Sequence, residues 1–296
     1  MGSHLCDRLI KNGHKIICVD NLSTGSKRNI EHLQHHPHFV FVEHDIRRFK
    51  KWSVDEIYNL ACPASPEQYQ KKPAHTIETC VLGILNMLEL ARNTGAKILQ
   101  ASTSEIYGDP LEHPQKESYW GNVNTLGPRG CYDEGKRCAE SMMIAYRDQY
   151  HCQIKIARIF NTYGPRMQRH DGRVVSNFIV QALQGSDLTF YGDGQQTRSF
   201  CYVEDTVEAL VRLMATVDFE GPVNIGNPVE MTLLELADII LKKTQSSSEK
   251  VFLAPAKDDP NKRRPDISLA KQVLSWSPRV SIDRGLNHTI EWFSGS

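Results

Sequence analysis

Short apolar segments alternate with helical stretches along the first half of this chain, and this alternation is the strongest constraint on its fold. The strand-like segments are 15–20, 39–43, 56–60, 97–101 and 154–160, and the helical stretches between them are near 3–12, 76–94 and 131–150. Parallel strands need a covering connection, which is usually a helix. The order therefore predicts an α/β fold with a parallel sheet and helices on both of its faces.

The pattern loosens after Phe160, where a segment with glycine and proline begins at 161–166. Helical stretches follow at 175–184, 204–215 and 232–244, with loop-rich sequence between them. We predict a first domain over 1–163, to which 195–217 returns, and a smaller C-terminal lobe for substrate made of 164–194 and 218–296.

A hydroxyl cluster, a carboxylate and a tyrosine–lysine pair carry most of the chemical information. The segment 102–105, Ser-Thr-Ser-Glu, directly follows the strand-like run 97–101. Tyr132 and Lys136 are four residues apart, which places them on one face of a helix, one turn apart. Because an ammonium beside a phenol favours the phenolate, we expect a lowered pKa for Tyr132 and a role as proton acceptor for a sugar or alcohol hydroxyl. The pair alone is common by chance, and its value comes from the polar strand end that precedes it.

Composition excludes several classes of function. The formal net charge of the 296 residues is zero, so we expect no nucleic-acid partner. No run approaches the roughly 18 apolar residues of a membrane span, so we expect no membrane contact within this chain. The eight cysteines are scattered without a Cys-x-x-Cys pair, which favours reduced thiols over disulfides or a metal site.

A dinucleotide site is indicated by the end of the strand-like run 15–20. Asp20 ends this run, and a carboxylate there accepts hydrogen bonds from ribose hydroxyls and repels a 2′-phosphate, which favours NAD over NADP. Gly2 lies 18 residues earlier, near the usual distance between the glycine fingerprint and the ribose acid. Asp45, after the run 39–43, is placed to meet the adenine.

Through these motifs the chain resembles the extended short-chain dehydrogenase/reductases that modify nucleotide sugars, and within them the branch that decarboxylates UDP-glucuronate. The matching stretches run through the chain: 2–5, 19–21, 102–108, 118–121, 132–137, 158–166, 172–175, 192–198 and 259–267. The resemblance implies a Rossmann-like doubly wound parallel sheet with a smaller C-terminal substrate-binding lobe, NAD as the cofactor, a UDP-sugar as the substrate and a homodimer.

The reaction implied by the resemblance is NAD-dependent decarboxylation of UDP-glucuronate to UDP-xylose through a 4-keto intermediate, with no net redox change. Tyr132 would remove the C4 hydroxyl proton, with Lys136 beside it. Thr103 would hydrogen-bond the C4 oxygen, and Glu105 would act near C5 as a proton handler or a positioning group. The cofactor would contact Gly2, Asp20, Asn21, Thr24, Gly25, Asp45, Ile46, Leu60, Ala61, Thr79, Tyr132, Lys136 and Thr162. The substrate would contact Asn161, Arg173, Arg198 and Arg263.

Ser104 carries an electrostatic argument about the substrate. The resemblance implies that related sugar dehydratases have an aspartate at this place, which protonates a leaving C6 hydroxyl. A substrate with a C6 carboxylate would be repelled by that aspartate, whereas the hydroxyl of Ser104 can donate a hydrogen bond to it. Ser104 is therefore a candidate catalytic residue beside Thr103 and Glu105.

Two features depart from the family pattern. The chain starts at Met1-Gly2, inside the opening glycine turn of the family, so we expect the preceding strand and the first glycines to be missing. Cys80 stands where relatives often have asparagine. A second hypothesis is therefore a catalytically impaired form that acts as a dimer partner, and a nucleotide-sugar 4-epimerase or 4,6-dehydratase is the alternative chemistry.

The dimer expectation concerns the two helices at 76–94 and 131–150. Their apolar faces pack as a dimer bundle in the family or, alternatively, belong to the core of the chain itself. The residues of these faces are Ile84, Leu85, Leu88, Ala139, Met142, Met143 and Tyr146.

We expect a cytoplasmic location, with the Golgi lumen as the alternative if a segment before Met1 carries a membrane anchor. The segment Asn21-Leu22-Ser23 is a glycosylation sequon, and a glycan there would block the expected ribose pocket.

Overall fold

The computed structural model describes residues 1–255 and 262–295, and it has the α/β architecture that the alternation predicts. The helices are α1 Gly2–Lys11, α2 Pro66–Lys71, α3 Pro73–Glu78, α4 Ile84–Thr94, α5 Gly130–Tyr150, α6 Val174–Gln184, α7 Val203–Ala215, α8 Leu233–Thr244, α9 Ser268–Leu274 and α10 Ile282–Ser294. Two 3₁₀ helices cover Lys27–Leu33 and Ser104–Tyr107, and a π-helical turn, Thr79–Gly83, joins α3 to α4.

The strands are short and most are parallel. They are β1 Ile16–Asp20, β2 Phe39–Glu43, β3 Glu56–Asn59, β4 Lys97–Thr103, β5 Ile154–Ile159, β6 Thr162–Tyr163, β7 Leu188–Tyr191, β8 Thr197–Ser199, β9 Cys201–Tyr202, β10 Val223–Ile225, β11 Glu230–Thr232, β12 Lys250–Leu253 and β13 Lys262–Arg263. Each strand-like segment predicted in the first half forms a strand, and each predicted helical stretch forms a helix, which confirms these predictions. The predicted stretch 76–94 is broken by the π-helical turn, and the motif residues 259–261 lie outside the described residues.

The main sheet has four parallel strands in the order β10-β5-β4-β3, and β1 pairs in parallel with β2 as a separate two-stranded sheet. A cavity of about 1150 Å³ lies between the two sheets and is lined by consecutive residues of both β1 and β3. Among the described residues, no strand pairs with the remaining edge of either β1 or β3. The parallel sheet is therefore interrupted between these two strands.

Helices cover both faces of the main sheet. On one face, α4 and α5 pack through Ile84, Leu88, Ala139 and Met143, all of which are fully buried with Ile98 of the sheet. On the other face, α7 and α9 pack against Leu99, Ala157 and their neighbours. Of the residues expected at a dimer face, Ile84, Leu88, Ala139 and Met143 therefore lie in the core of the chain itself.

The C-terminal part of the chain builds most of a second core, to which Leu5 and Leu9 of α1 also contribute, and it adds a strand to the main sheet. Helices α6 and α8 pack with Phe178, Phe190 and Leu236 in this core. A capping box at the start of α8, in which Thr232 and Glu235 exchange hydrogen bonds, fixes where that helix begins. Strand β10 pairs with β5, so one strand from the predicted lobe 218–296 lies in the sheet of the first domain. The domain boundaries remain a prediction.

None of the helices in the described part of the chain is long and apolar enough to cross a membrane. All eight cysteines are free thiols in the structure.

Candidate active site

Tyr132 and Lys136 lie in the first two turns of α5, on one face, as their spacing predicts. Both side chains are buried. The Lys136 ammonium lies 5.7 Å from the centre of the Tyr132 ring and donates a hydrogen bond of 2.8 Å to the carbonyl of Ala101 in β4. The lysine therefore ties α5 to the strand whose end carries the hydroxyl cluster.

Burial controls the protonation of Tyr132 in this structure. Burial raises the pKa of Tyr132 well above its ordinary value, the neighbouring Cys62 adds to this effect, and a hydrogen bond with Thr103 opposes it. The expectation that Lys136 brings this pKa towards neutrality is wrong here. The physical reason is that the phenol has lost its hydration while the ammonium of Lys136 is directed to the Ala101 carbonyl.

The hydroxyl cluster lies where β4 passes into a 3₁₀ helix. Thr103 caps this helix, because its hydroxyl oxygen accepts a hydrogen bond of 3.2 Å from the amide of Glu105. Ser104 begins the helix and is buried between these two residues. The hydrogen bond from Lys136 to Ala101 joins α5 to β4, and Thr103 lies near enough to the Tyr132 hydroxyl to lower its pKa, so the two sequence motifs meet in space.

Glu105 is the centre of a buried charge cluster. Arg129, just before α5, and Arg263, in β13, both donate short hydrogen bonds to its carboxylate. Burial raises the pKa of Glu105, but the charges of Arg263 and Arg129 outweigh burial and lower the pKa to about 2. Glu105 is therefore ionised near neutral pH, and of its two predicted roles the geometry suits the positioning group.

Arg263 has donors left over for a ligand. Its side chain is only 4% exposed, and its Nε and Nη2 atoms have no hydrogen-bond partner within the described residues. Unpaired buried donors are costly unless a ligand satisfies them. These two nitrogens therefore mark a place where an anionic group can bind beside Glu105.

Sequence reasoning missed three residues of the cluster. The Tyr69 ring stacks on the Tyr132 ring at 5.0 Å and an interplanar angle of 4°, and the Tyr69 hydroxyl has no partner among the described residues. Arg129 holds Glu105, as described above. Asp133 is buried with an unpaired Oδ1 atom, and burial together with the charge of Glu105 raises its pKa to about 7. Only Asp133 had a sequence clue, since it adjoins Tyr132.

Two adjoining cavities contain most of the residues predicted to bind the cofactor. The larger one, of about 1150 Å³, is lined by Gly2, Asp20, Thr24, Gly25, Ile46, Leu60, Ala61 and Thr162. The smaller one, of about 100 Å³, shares several of these residues and adds Asn21, Asp45 and Thr79. Of the predicted cofactor residues, Tyr132 and Lys136 line neither cavity and lie at the hydroxyl cluster instead.

The groups at the end of β1 suit a ribose diol. Asp20 is exposed, and its Oδ1 atom accepts a hydrogen bond of 2.7 Å from the amide of Leu22. A Cβ atom on Gly25 would lie 2.8 Å from Asp20 Oδ2, so only glycine leaves this carboxylate in place. Asp45, by contrast, is bound by Arg47, whose hydrogen bonds hold the pKa of that carboxyl well below its usual range.

The structure brings together only two of the four predicted substrate residues. Arg198 in β8 is the register partner of Arg263 in β13, so these two arginines are neighbours. Arg173 is paired with Asp171 and lines the large cavity with the predicted cofactor residues, apart from the Glu105 cluster. Asn161 follows β5 directly, and its carbonyl accepts a hydrogen bond from the amide of Cys201.

Comparisons with known proteins identify relatives along nearly the whole chain. A family model described as GDP-mannose 4,6 dehydratase matches residues 1–289. UDP-glucuronic acid decarboxylase 1 of Danio rerio is 54% identical over 294 residues, which cover 99% of this chain and 70% of that protein. UDP-glucuronic acid decarboxylase 1 of Arabidopsis thaliana is 53% identical over 293 residues, 99% of this chain and 67% of that protein.

Solved structures agree in fold. UDP-glucose 4-epimerase from Thermotoga maritima, determined with UDP-glucose, has a TM-score of 0.91 and 30% identity, covering 99% of this chain and 95% of that chain. UDP-glucuronic acid 4-epimerase from Bacillus cereus, determined with UDP-glucuronic acid and NAD, has a TM-score of 0.90 and 27% identity, covering 99% of this chain and 96% of that chain.

Proposed function

We propose a specific reaction for this chain, which belongs to the GDP-mannose 4,6-dehydratase family within the extended short-chain dehydrogenase/reductases. The proposed reaction is the decarboxylation of UDP-glucuronate. The relatives that are 53–54% identical over almost the full chain are named for this activity. The product is UDP-xylose, and the reaction passes through a 4-keto sugar without net redox change.

The observation that carries the proposal is the meeting of Tyr132, Thr103 and the Glu105–Arg263 pair in one buried cluster. Tyr132 takes the proton of the C4 hydroxyl while Thr103 donates a hydrogen bond to the C4 oxygen. Burial holds the pKa of Tyr132 high, and the ammonium of Lys136 is bonded to the Ala101 carbonyl, so this step requires Lys136 to turn towards the phenol when the ligands bind.

The remaining groups of the cluster orient the sugar. The free Nε and Nη2 atoms of Arg263 bind an anionic group of the substrate, either its carboxylate or its diphosphate, with Arg198 beside them. Ser104 donates to the C6 carboxylate, and the ionised Glu105 holds Arg263 in place. Once C4 is a ketone, the carboxylate is β to it and leaves as CO₂. Asn161 and Arg173 remain proposed substrate contacts.

NAD is the proposed cofactor, and when bound it accepts the C4 hydride and returns it. The residues lining the two cavities fit this group, since Asp20 offers a carboxylate to the ribose diol and Gly25 keeps that carboxylate clear. Asn21, Thr24, Asp45, Ile46, Leu60, Ala61, Thr79 and Thr162 line the rest of the site.

The experiment is incubation of the full chain with UDP-glucuronate and NAD⁺, followed by mass spectrometry of the nucleotide sugars and measurement of released CO₂. A UDP-pentose with matching CO₂ supports decarboxylation. A product with the mass of the substrate but a different retention time indicates the 4-epimerase alternative. No product from a chain that binds UDP-glucuronate indicates the impaired dimer partner.

A homodimer is also part of the proposal. The four buried residues of α4 and α5 named above are core, so the proposed contact uses the partly exposed residues of the same predicted faces, Leu85, Met142 and Tyr146. It also uses Ile77 of α3 and Leu82 of the π-helical turn, which are 40% and 43% exposed. Sedimentation of the parent and of a double variant Ile77→Asp, Leu82→Asp tests this surface.

A cytoplasmic location is proposed because Asn21 of the sequon lines the small cavity, where a glycan would block the cofactor site. Imaging of the tagged natural gene product tests this location against the Golgi lumen.

A further inference from the structure

Two cysteines that play no part in the proposed reaction lie together beside it. Cys62, which follows β3 and Ala61, has its Sγ atom 3.3 Å from the Sγ atom of Cys80. Cys80 belongs to the π-helical turn between α3 and α4, a backbone irregularity that often accompanies functional sites. The two residues are 18 positions apart in the chain, so only the fold brings them together.

The pair is wedged against the helix that carries Tyr132. A Cβ atom on Gly135 would lie 2.8 Å from the Cβ atom of Cys80 and 3.1 Å from its Sγ atom. Gly135 sits in the turn of α5 between Tyr132 and Lys136. Movement of the Cys80 side chain therefore acts directly on the part of α5 that holds both residues.

The two thiols differ in reactivity. The hydrogen bond from Cys62 lowers the pKa of Cys80 to about 7, and the charge of Lys136 contributes in the same direction. The same hydrogen bond and burial raise the pKa of Cys62 well above its ordinary value. The two sulfurs therefore act as a coupled pair that loses one proton more readily than an isolated buried thiol.

A small oxidant can reach the pair from the cofactor side. Cys62 is half-buried and lines the small cavity together with Asp20, Asp45 and Thr79. Cys131 is also close to the site, but its thiol is directed to the carbonyl of Tyr69 and burial raises its pKa. Among the cysteines around Tyr132, Cys62 and Cys80 are thus the matched pair.

We propose that Cys62 and Cys80 form a redox-active pair, which a hydroperoxide closes to a disulfide and which thereby lowers turnover at Tyr132. The Cys62 sulfur, which lines the small cavity, attacks a peroxide oxygen, breaks the O–O bond and becomes a sulfenic acid, and the leaving oxygen takes the thiol proton to become water. The sulfur of Cys80 then attacks the sulfur of Cys62 and displaces the hydroxyl, which leaves as water with the Cys80 proton. Two thiols lose two hydrogens, and one hydrogen peroxide becomes two waters.

Formation of the Cys62–Cys80 disulfide requires a movement that extends to the residues around Tyr132. The sulfurs must approach from 3.3 Å to a bond length of about 2.05 Å. This shift of about 1 Å moves Cys80 relative to Gly135 and moves the end of β3 relative to α5. Because misplacement on this scale can cost about a hundredfold in rate, we expect turnover to fall by about tenfold or more. This expected loss of turnover rests on the proposed function.

The test exposes the full chain to hydrogen peroxide and then maps its peptides by mass spectrometry without reduction. The expected result is a cross-linked peptide joining Cys62 to Cys80, which dithiothreitol removes. Cys62→Ser and Cys80→Ser should each abolish this peptide, whereas Cys138→Ser, a change at an exposed cysteine, should leave it intact. Circular dichroism of each variant shows that it is folded.

Turnover is measured in parallel, each protein being compared with its own reduced form. Loss of turnover in the parent and in Cys138→Ser, with recovery in dithiothreitol and protection in Cys80→Ser, is the expected outcome. Absence of the Cys62–Cys80 peptide would overturn the proposal, and so would equal peroxide sensitivity of the Cys80→Ser variant. If UDP-glucuronate is not turned over by the reduced chain, the proposed function fails, while the peptide map still decides whether the pair forms.

Discussion

The raised pKa of Asp133 makes the stability of this protein depend on pH in a direction opposite to that of most carboxylates. Burial, and then the charge of Glu105, raises the pKa of Asp133 from 3.8 to about 7. Between these two pH values the folded chain keeps a proton that the unfolded chain has lost. The free energy of unfolding therefore falls as the pH rises through this range.

The magnitude follows from the same two values. The difference between 3.8 and about 7 corresponds to about 4 kcal/mol at full ionisation. In Asp133→Asn the side chain carries no charge at any pH. We expect parent and variant to have nearly equal stability near pH 4, and the variant to be more stable by up to about 4 kcal/mol at pH 8.

Urea unfolding at a series of pH values measures the difference directly. Asp109→Asn, a change at an exposed aspartate, is the matched control and should leave the pH dependence of the parent unchanged. If the free energies of unfolding of the parent and of Asp133→Asn change with pH in parallel, the reasoning is refuted. Asp133 would then ionise in the folded chain without loss of stability.

Substitutions at three residues probe the catalytic cluster. Tyr132→Phe should lower turnover by about 10²–10⁴-fold with an unchanged circular dichroism spectrum, and a loss of only a few-fold would remove Tyr132 as the base. Ser104→Asp should weaken UDP-glucuronate far more than UDP-glucose in binding titrations, since two carboxylates about 4 Å apart repel by roughly 4 kcal/mol, while Ser104→Ala should be milder; equal effects on both sugars would contradict the placement of the carboxylate. Arg263→Met removes one charged partner of Glu105 and should lower the free energy of unfolding by about 1.5–3 kcal/mol in urea titrations; unchanged stability would show that Arg129 alone suffices.

Tertiary structure alone decided the electrostatics of the site. The spacing of Tyr132 and Lys136 correctly placed both residues on one face of α5, but it could not show that burial raises the pKa of the phenol. Likewise the sequence placed Glu105 beside the hydroxyls, but it did not show its two arginine partners. Arg129 and Arg263 are 24 and 158 positions away in the chain. A pKa depends on hydration and on charges brought together by folding, and neither can be read from local spacing.

The sequence by itself determined the elements and the order in which they alternate. Strand and helix periodicity are local properties, so the strands β1 to β5 and helices such as α5 could be located from the apolar pattern. The return of β10 to the main sheet and the approach of Cys62 to Cys80 became visible only in three dimensions. These features depend on contacts between segments far apart in the chain, and the hydrophobic pattern of one segment does not specify which other segment it will meet.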